Sequence, residues 1–424
     1  MYLMVEKCGK NTEFFSIFVI SSMKIRNFSI LIVCVSLGLL FLSSCGKRHR
    51  HGKDLMLPVD SLFIDLNHDV IEKRTKQAER FFTELNKTLG LNGTVLYAEG
   101  GRVLYRNAFG WRRLTQRKEP IQIDDQFQLA SVSKMFTAEA IMLLHAQGKL
   151  DYDDTLQKYI PEFPYQGITI RHLLNHRSGL SRYETLADEH WPDRGIPMNN
   201  EDVIDLFCQY KPEPYNKPNV TFHYTNVNYA LLASVVERIT GKHFEDFMKH
   251  QVFEPLGMDH SYIYSLRGVD RIKTYVETTV QGHDLFRNGA RRAQEDYLNG
   301  VAGDKVMFST VDDLYRFSVA IENNAFLPED IQQEAFVPGS SEWKRGENYG
   351  FGWRMSEKHP NILFHFGWWK GYRSFFIRCP EKGRTLIVLT NTDSGVIGDA
   401  LWDFINDTTV QLPPASVNAS LVFD

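Results

Sequence analysis

The hydrophobic positions change their spacing several times along the chain, and each change predicts an element. Ile71, Ala78, Phe81, Phe82, Leu85 and Leu89 recur at helical spacing, and Gly90 is placed to stop that helix. Two strand-like runs follow, Thr94–Ala98 and Arg102–Arg106, and Glu99-Gly100-Gly101 between them is a hairpin signal. Near the other end, Ser374–Arg378 and Thr385–Thr390 repeat the arrangement around Pro380-Glu381-Lys382-Gly383. A last helix is predicted from Gly398 to Ile405. Between roughly 130 and 335 the pattern is mostly helical, with long polar connections. There, Thr310-Val311-Asp312-Asp313 reads as a capping box opening a helix from Val311 to Ile321. Strands at both ends with helices between them predict an α+β fold. Its antiparallel sheet is flanked by helices and built from both chain ends, with an inserted, mostly helical subdomain over roughly 140–335. No internal repeat of roughly 20–50 residues interrupts this plan.

The first 53 residues obey a different pattern. Met23-Lys24-Ile25-Arg26 is a short basic start, Phe28 to Leu42 is almost free of polar side chains, and Leu42-Ser43-Ser44-Cys45 follows. A basic start, a short apolar run and small residues before a cleavage point describe a secretory signal. The apolar run falls short of the ~20 residues of a membrane-spanning helix. Residues 1–44 are therefore expected to be removed, with 23–44 as the complete signal and 1–22 as a mis-assigned start. Gly46 to Lys53 reads GKRHRHGK, a solvated basic tether beside a membrane surface rather than a metal site. This divides the chain into a signal (1–44), a tether (45–69), a folded domain (70–412) and a tail (413–424).

Composition narrows the classes. Over 424 residues, 43% are hydrophobic and 24% charged, values of an ordinary globular protein. A net charge of −4 argues against a nucleic-acid partner. The five cysteines (Cys8, Cys34, Cys45, Cys208 and Cys379) are scattered and contain no CxxC pair, so neither a disulfide framework nor a zinc site is indicated. Cys208 and Cys379 read as small packed hydrophobes, with a disulfide between them left open. His172 and His176 are four apart, but residue 173 is Leu where a zinc-protease helix needs Glu. No Gly-x-Ser-x-Gly elbow is present around the serine singled out next.

Three short motifs carry the candidate chemistry. In Phe127-Gln128-Leu129-Ala130-Ser131-Val132-Ser133-Lys134, a helix is predicted to open at Ser131. Residues i and i+3 share a helix face, so the Lys134 amine can reach the Ser131 hydroxyl. A serine is a poor nucleophile until a neighbour takes its proton, and a buried lysine can serve. Downstream, Tyr224-Thr225-Asn226 precedes an apolar helix that ends at Thr240-Gly241. A tyrosine beside a cation can act as a base, and an amide two residues on can hydrogen-bond Lys134 and a substrate. Third, His365-Phe366-Gly367-Trp368-Trp369-Lys370 precedes a strand-like run. Gly367 there would let a substrate backbone approach, and the next amide could donate to an oxyanion.

Ser-x-x-Lys, Tyr-x-Asn and His-x-Gly, in that order, resemble the serine β-lactamase and penicillin-binding-protein superfamily. The nearest branch has tyrosine in its second motif: class C β-lactamases, D,D-peptidases, D-amino-acid amidases and related esterases. The resemblance runs from about Asn92 to Asn406. It includes the segments Ile168–Leu180, Gly303–Thr310 and Tyr349–Trp353. Leu-Ser-Ser-Cys is similar to the bacterial lipobox, in which the Cys45 thiol would be acylated. Gly46, with no Asp after the cysteine, leans toward the outer membrane.

The resemblance implies Ser131 as acylated nucleophile, with Lys134 and Tyr224 sharing the proton work. Asn226 would orient Lys134 and the substrate amide, and His365 would stand in the third motif. The N–H groups of Ser131 and Trp368 would form an oxyanion hole beside Gly367, each donor lowering the barrier by about 2.7–4 kcal/mol. Neither metal nor organic cofactor is required. Phe366 lacks the hydroxyl that many β-lactamases carry in the third motif, and His365 is a weak carboxylate anchor near neutrality. Both tilt the expectation toward an esterase or a D-amino-acid amidase or peptidase. A β-lactamase, or a penicillin-binding sensor that does not hydrolyse, is the alternative. The expected partners are a small-molecule or peptide substrate and, through lipid, the periplasm-facing cell envelope; oligomeric state stays open. Arg182 to Asn219, with its prolines, is either a loop over the cleft or an ordinary surface loop. If Cys45 is the lipid anchor, Cys45→Ala will move the protein from the detergent phase to the aqueous phase in a detergent phase-partition assay. Full retention in detergent would refute the anchor.

Overall fold

The computed structural model describes residues 66–395 and 397–407. The signal, most of the tether including Cys45, and the tail lie outside the described residues. Helix α1 (His68–Leu89) ends at Gly90, which takes the left-handed φ of 66° that a glycine adopts cheaply. Strands β1 (Gly93–Glu99) and β2 (Arg102–Phe109) follow. They turn through Gly100 and Gly101, both at positive φ, as a two-residue hairpin requires. The insertion then runs β3 (Phe127–Gln128), α2 (Ser133–Ala146), α3 (Ile170–Leu174), α4 (Tyr183–His190), α5 (Asn200–Tyr210), α6 (Val227–Thr240) and α7 (Phe244–Met248). It continues with β4 (Tyr262–Ile263), β5 (His283–Phe286), β6 (Gly289–Arg292), β7 (Met307–Ser309), α8 (Val311–Glu322) and α9 (Glu329–Glu334). The chain returns through β8 (Glu347–Tyr349), β9 (Arg354–Ser356), β10 (His359–Trp369), β11 (Tyr372–Cys379), β12 (Arg384–Thr390) and α10 (Ile397–Ile405).

Seven strands form one antiparallel sheet in the order β2-β1-β12-β11-β10-β9-β8, so the two chain ends meet inside it, at the β1–β12 pair two strands in from one edge. β1 and β12 are buried at every position, because both faces of the sheet are covered. One face, with Val95, Tyr97, Leu386 and Val388, packs on α1 and α10. The other, with Leu96, Ile387 and Leu389, packs on residues of α2, α8 and the helical insertion. The predicted α+β architecture is the one observed. The insertion also holds a three-stranded sheet, β3-β7-β4, and the β5-β6 hairpin. These strands are two to four residues long, too short to produce a readable alternation.

Two local expectations change, and the question of a disulfide is closed. Thr310 caps α8 by accepting from the Asp313 N–H, but Asp313 does not close a capping box. Its carboxylate instead accepts from the His260 N–H and the Ser261 hydroxyl, tying the helix to β4. Cys208 and Cys379 are free: Cys379 is buried in the core beneath α1, while the Cys208 thiol donates to the Glu162 carbonyl. The stretch Arg182–Asn219 is not a single loop, since it contains α4 and α5.

The outer core rests on aromatic packing. Phe404 stacks on Phe81 at 4.6 Å between centroids and meets Tyr97 edge-on at 5.0 Å, joining α10, α1 and β1. Phe404→Ala is expected to cost about 3–5 kcal/mol, seen as a lower urea midpoint. Ser131 reactivity should be unchanged, because this core lies across the sheet from it.

Candidate active site

Ser131 sits on a 3₁₀ turn, Ala130–Val132, that leads into α2. The turn is clamped from two sides. The Leu129 N–H donates to the Met307 carbonyl on β7 (2.8 Å), and the Ser374 hydroxyl of β11 donates to the Leu129 carbonyl. Ala130 is held at φ 48°, a left-handed value costing a non-glycine residue about 1–3 kcal/mol. Such strain persists only where the surroundings impose it, and here it sets the direction in which Ser131 leaves the strand.

One turn on, Lys134 is fully buried, as is most of α2, which lies between the sheet and the insertion. Its Nζ donates to Ser131 Oγ at 3.1 Å and to the Asp304 carbonyl at 2.8 Å. The Tyr224 ring centroid lies 5.1 Å from that ammonium, and the Tyr224 hydroxyl is buried without a hydrogen-bond partner. Ser131, Lys134 and Tyr224 are therefore brought together.

Asn226 arrives differently from expectation. Its amide donates to Glu184 Oε1 at 2.6 Å, its oxygen is buried and unpartnered, and the second protein acceptor for Lys134 is the Asp304 carbonyl instead. Glu184 stands on the first turn of α4 beside Tyr183. The Tyr183 hydroxyl donates to Asp304 Oδ2 at 2.9 Å, and the buried Lys305 Nζ pairs with the same carboxylate at 3.0 Å. The residues that fix Asn226 and those that fix Lys134 thus belong to one buried network.

The third motif corrects two expectations. His365 is fully buried: Nε2 meets the Tyr349 hydroxyl at 2.8 Å and Nδ1 lies 3.0 Å from the Phe366 carbonyl. Burial first, then the Arg354 and Lys134 cations, push it well below the ordinary histidine range. His365 is therefore neutral near pH 7 and offers no charge to a substrate. Along β10 successive side chains alternate faces. Phe366 accordingly points into the other core, against Phe364, Phe375 and Trp402, so a hydroxyl at 366 would not face the site.

Gly367 serves the protein's own backbone. A Cβ there would collide with the Leu129 carbonyl and the Ser374 hydroxyl, so its bareness lets the Ser131 turn sit against β10. Trp369 and Tyr372 close the β10-β11 hairpin as a hydrogen-bonded pair, since Lys370 and Gly371 form a two-residue turn. The next pair, Trp368 and Arg373, is then the unbonded kind, and the Trp368 N–H points out of that ladder. The Trp368 ring is 62% exposed, with the Arg373 guanidinium against it at 4.9 Å.

An open cleft of about 520 Å³ is lined by Asn226, Trp368, Arg182, Glu184, Asp284 and Arg291, among others; it reaches the candidate site through Asn226 and Trp368, and Ser131 is not part of its lining. Of the segment 182–219, only its start lines this cleft; Pro214 and Pro218 line a separate hollow with Tyr165. The β5-β6 hairpin supplies the opposite wall. Sequence reasoning missed that wall, Glu184 and Tyr349 as site residues. A four-residue strand and a single carboxylate give no pattern. Asp304 acts on Lys134 through a carbonyl, which any residue type has. His176, considered above only against zinc, lies beneath Tyr224 with ring centroids 4.3 Å apart. His172 instead accepts from the Thr169 N–H to cap α3.

The model of the Beta-lactamase family matches residues 78–409. Penicillin-binding protein 4* of Bacillus subtilis is 36% identical over 334 residues, covering 76% of this chain and 73% of that protein. D-aminopeptidase of Brucella anthropi is 26% identical over 72% of this chain and 57% of that protein. The crystal structure of a penicillin-binding protein from Bacillus halodurans superposes with a TM-score of 0.64 at 23% identity, over 81% of this chain and 98% of that one. Gly367→Ala must push β10 away from the Ser131 turn. It is expected to slow covalent labelling of Ser131 by about 10²-fold, the cost of roughly 1 Å of misplacement, while the far-ultraviolet circular dichroism stays the same.

Proposed function

The chain belongs to the Beta-lactamase family, serine hydrolases of the β-lactamase and penicillin-binding-protein fold, and from that premise we propose a specific chemistry for it. It cleaves ester or amide bonds through an acyl-enzyme on Ser131. The observation that carries this reading is the buried Lys134 ammonium, 3.1 Å from Ser131 Oγ and 5.1 Å from the centroid of the Tyr224 ring, whose buried hydroxyl has no hydrogen-bond partner in the protein. Ser131 Oγ attacks the carbonyl carbon while its proton passes to the Lys134–Tyr224 pair. The carbonyl oxygen, now negative, accepts from the Ser131 and Trp368 N–H groups. The same pair returns the proton to the leaving alcohol or amine, then takes one from the water that releases the acyl group. Asn226 offers its unpartnered oxygen to an N–H of the substrate.

Within this chemistry, we read the protein as an esterase or a D-amino-acid amidase or peptidase. The neutral His365 supports that reading, because a substrate that depends on a carboxylate anchor finds no cation there. Phe366 favours neither reading, because its side chain faces the other core. Penicillin binding with slow turnover is the second reading, favoured by the 36% identity to Penicillin-binding protein 4*. The proposed setting is the bacterial envelope, facing the periplasm, with the lipid on Cys45.

The test is mass-resolved labelling of the full chain with a fluorophosphonate and with a fluorescent penicillin. A stoichiometric fluorophosphonate adduct that vanishes in Ser131→Ala is expected, together with turnover of D-amino-acid amides or short esters. No adduct with either reagent would refute the acyl-enzyme reading. A lasting penicillin adduct without amide or ester turnover would decide for the second reading.

A further inference from the structure

One charged group packed against Tyr224 has no part in the scheme above. Arg354, on β9, lays its guanidinium on the face of the Tyr224 ring, with Cζ 4.4 Å from the centroid. Its Nη1 is held by Glu347 on β8 at 3.2 Å, and strand pairing sets it opposite Tyr349 on one side and Phe364 on the other. The arginine side chain is 22% exposed and the glutamate 51%, so the cation is better shielded from solvent than its counter-charge.

The other titratable groups around Tyr224 come from every neighbouring element. Lys134 of α2 lies 5.1 Å from the ring centroid. His176, after α3, is at 4.3 Å, Tyr349 of β8 at 5.9 Å and His365 of β10 at 6.1 Å, between ring centroids. Tyr229 of α6 stands on the far side of Lys134, 5.9 Å from its ammonium. Both histidines are pushed well below their ordinary range, by burial first and then by the Lys134 and Arg354 cations, so neither is charged near neutral pH. Among the described residues that pack against the Tyr224 ring, the cations are Lys134 and Arg354. At such distances a partly buried cation favours negative charge on its neighbour strongly, because solvent screens it poorly.

We propose that Arg354, laid on the face of the Tyr224 ring, is a positioning residue of this site, a fixed cation that stabilises negative charge on the Tyr224 oxygen. Arg354 exchanges no proton. The Ser131 Oγ–H proton still goes to the Lys134–Tyr224 pair, the Oγ–C bond forms, and the carbonyl π pair moves to oxygen. The inference rests on Ser131 being the nucleophile.

The experiment is the rate of fluorophosphonate labelling of Ser131 across pH, in the full chain and its variants. The acid limb of that profile reports the Lys134–Tyr224 pair as a unit. Removing a cation makes an anion harder to form, so Arg354→Gln should move the limb up by about one pH unit, a loss of about tenfold on its acid side. The high-pH plateau should be kept. Arg354→Lys should recover at least half the shift. Glu347→Gln removes the counter-charge and leaves the cation, so it should not move the limb upward. A uniform loss across pH with an unmoved limb in Arg354→Gln would mean that the side chain only packs, and would overturn the proposal. So would an upward shift in Glu347→Gln, or an Arg354→Lys profile no different from that of Arg354→Gln. Absence of labelling at every pH in the unsubstituted protein would refute the nucleophile itself, and this inference with it.

Discussion

Lys134 places an ammonium group where solvent does not reach, and much of the surrounding structure is what that requires. A buried cation costs several kcal/mol unless its donors find acceptors and its charge finds compensation. Ser131 Oγ and the Asp304 carbonyl supply the acceptors, and the Tyr224 and Tyr229 rings supply π faces. The residue that offers that carbonyl, Asp304, is itself held through its side chain by Lys305 and Tyr183. Tyr183 lies on the same helix turn as Glu184, which fixes Asn226. Satisfying one amine therefore orders the residues on both sides of the cleft.

The same cation explains why two histidines beside it are neutral. His176 and His365 are fully buried, and a second or third positive charge in that space would be repelled by Lys134 and Arg354. Each ring keeps a hydrogen-bond partner that does not require it to be charged: Asn228 for His176, Tyr349 for His365. Positive charge in the site is concentrated at fixed points rather than spread over groups that titrate near neutrality.

Close approach is the second constraint. The Ser131 turn must touch β10, and a bare Gly367 permits it. The turn must also lie against the helices, and Gly352, at φ 82°, lets the chain pass over α2 with a would-be Cβ only 2.8 Å from the Met135 Cα. Both glycines belong to segments that the sequence marked as family-like. Their physical role is contact between parts of the protein itself, not room for a substrate.

What the sequence determined by itself was whatever is written in local spacing. Helical periodicity marked α1, and hairpin glycines marked β1-β2. Long apolar strands at the two termini predicted a sheet assembled from both, and i,i+3 spacing put Lys134 within reach of Ser131. Resemblance then joined three motifs under one family, and the family match agrees on the family. Tertiary structure alone decided what depends on which element lies against which. It turned Phe366 to the far core and His365 into the interior, because the sheet face is set by packing and not by the motif. It gave Asn226 to Glu184 and Lys134 to a backbone carbonyl, and it laid Arg354, 130 positions further along the chain, on the ring of Tyr224. Such contacts leave no trace in spacing, since the residues that make them are far apart in sequence and meet only when the sheet closes over the helices.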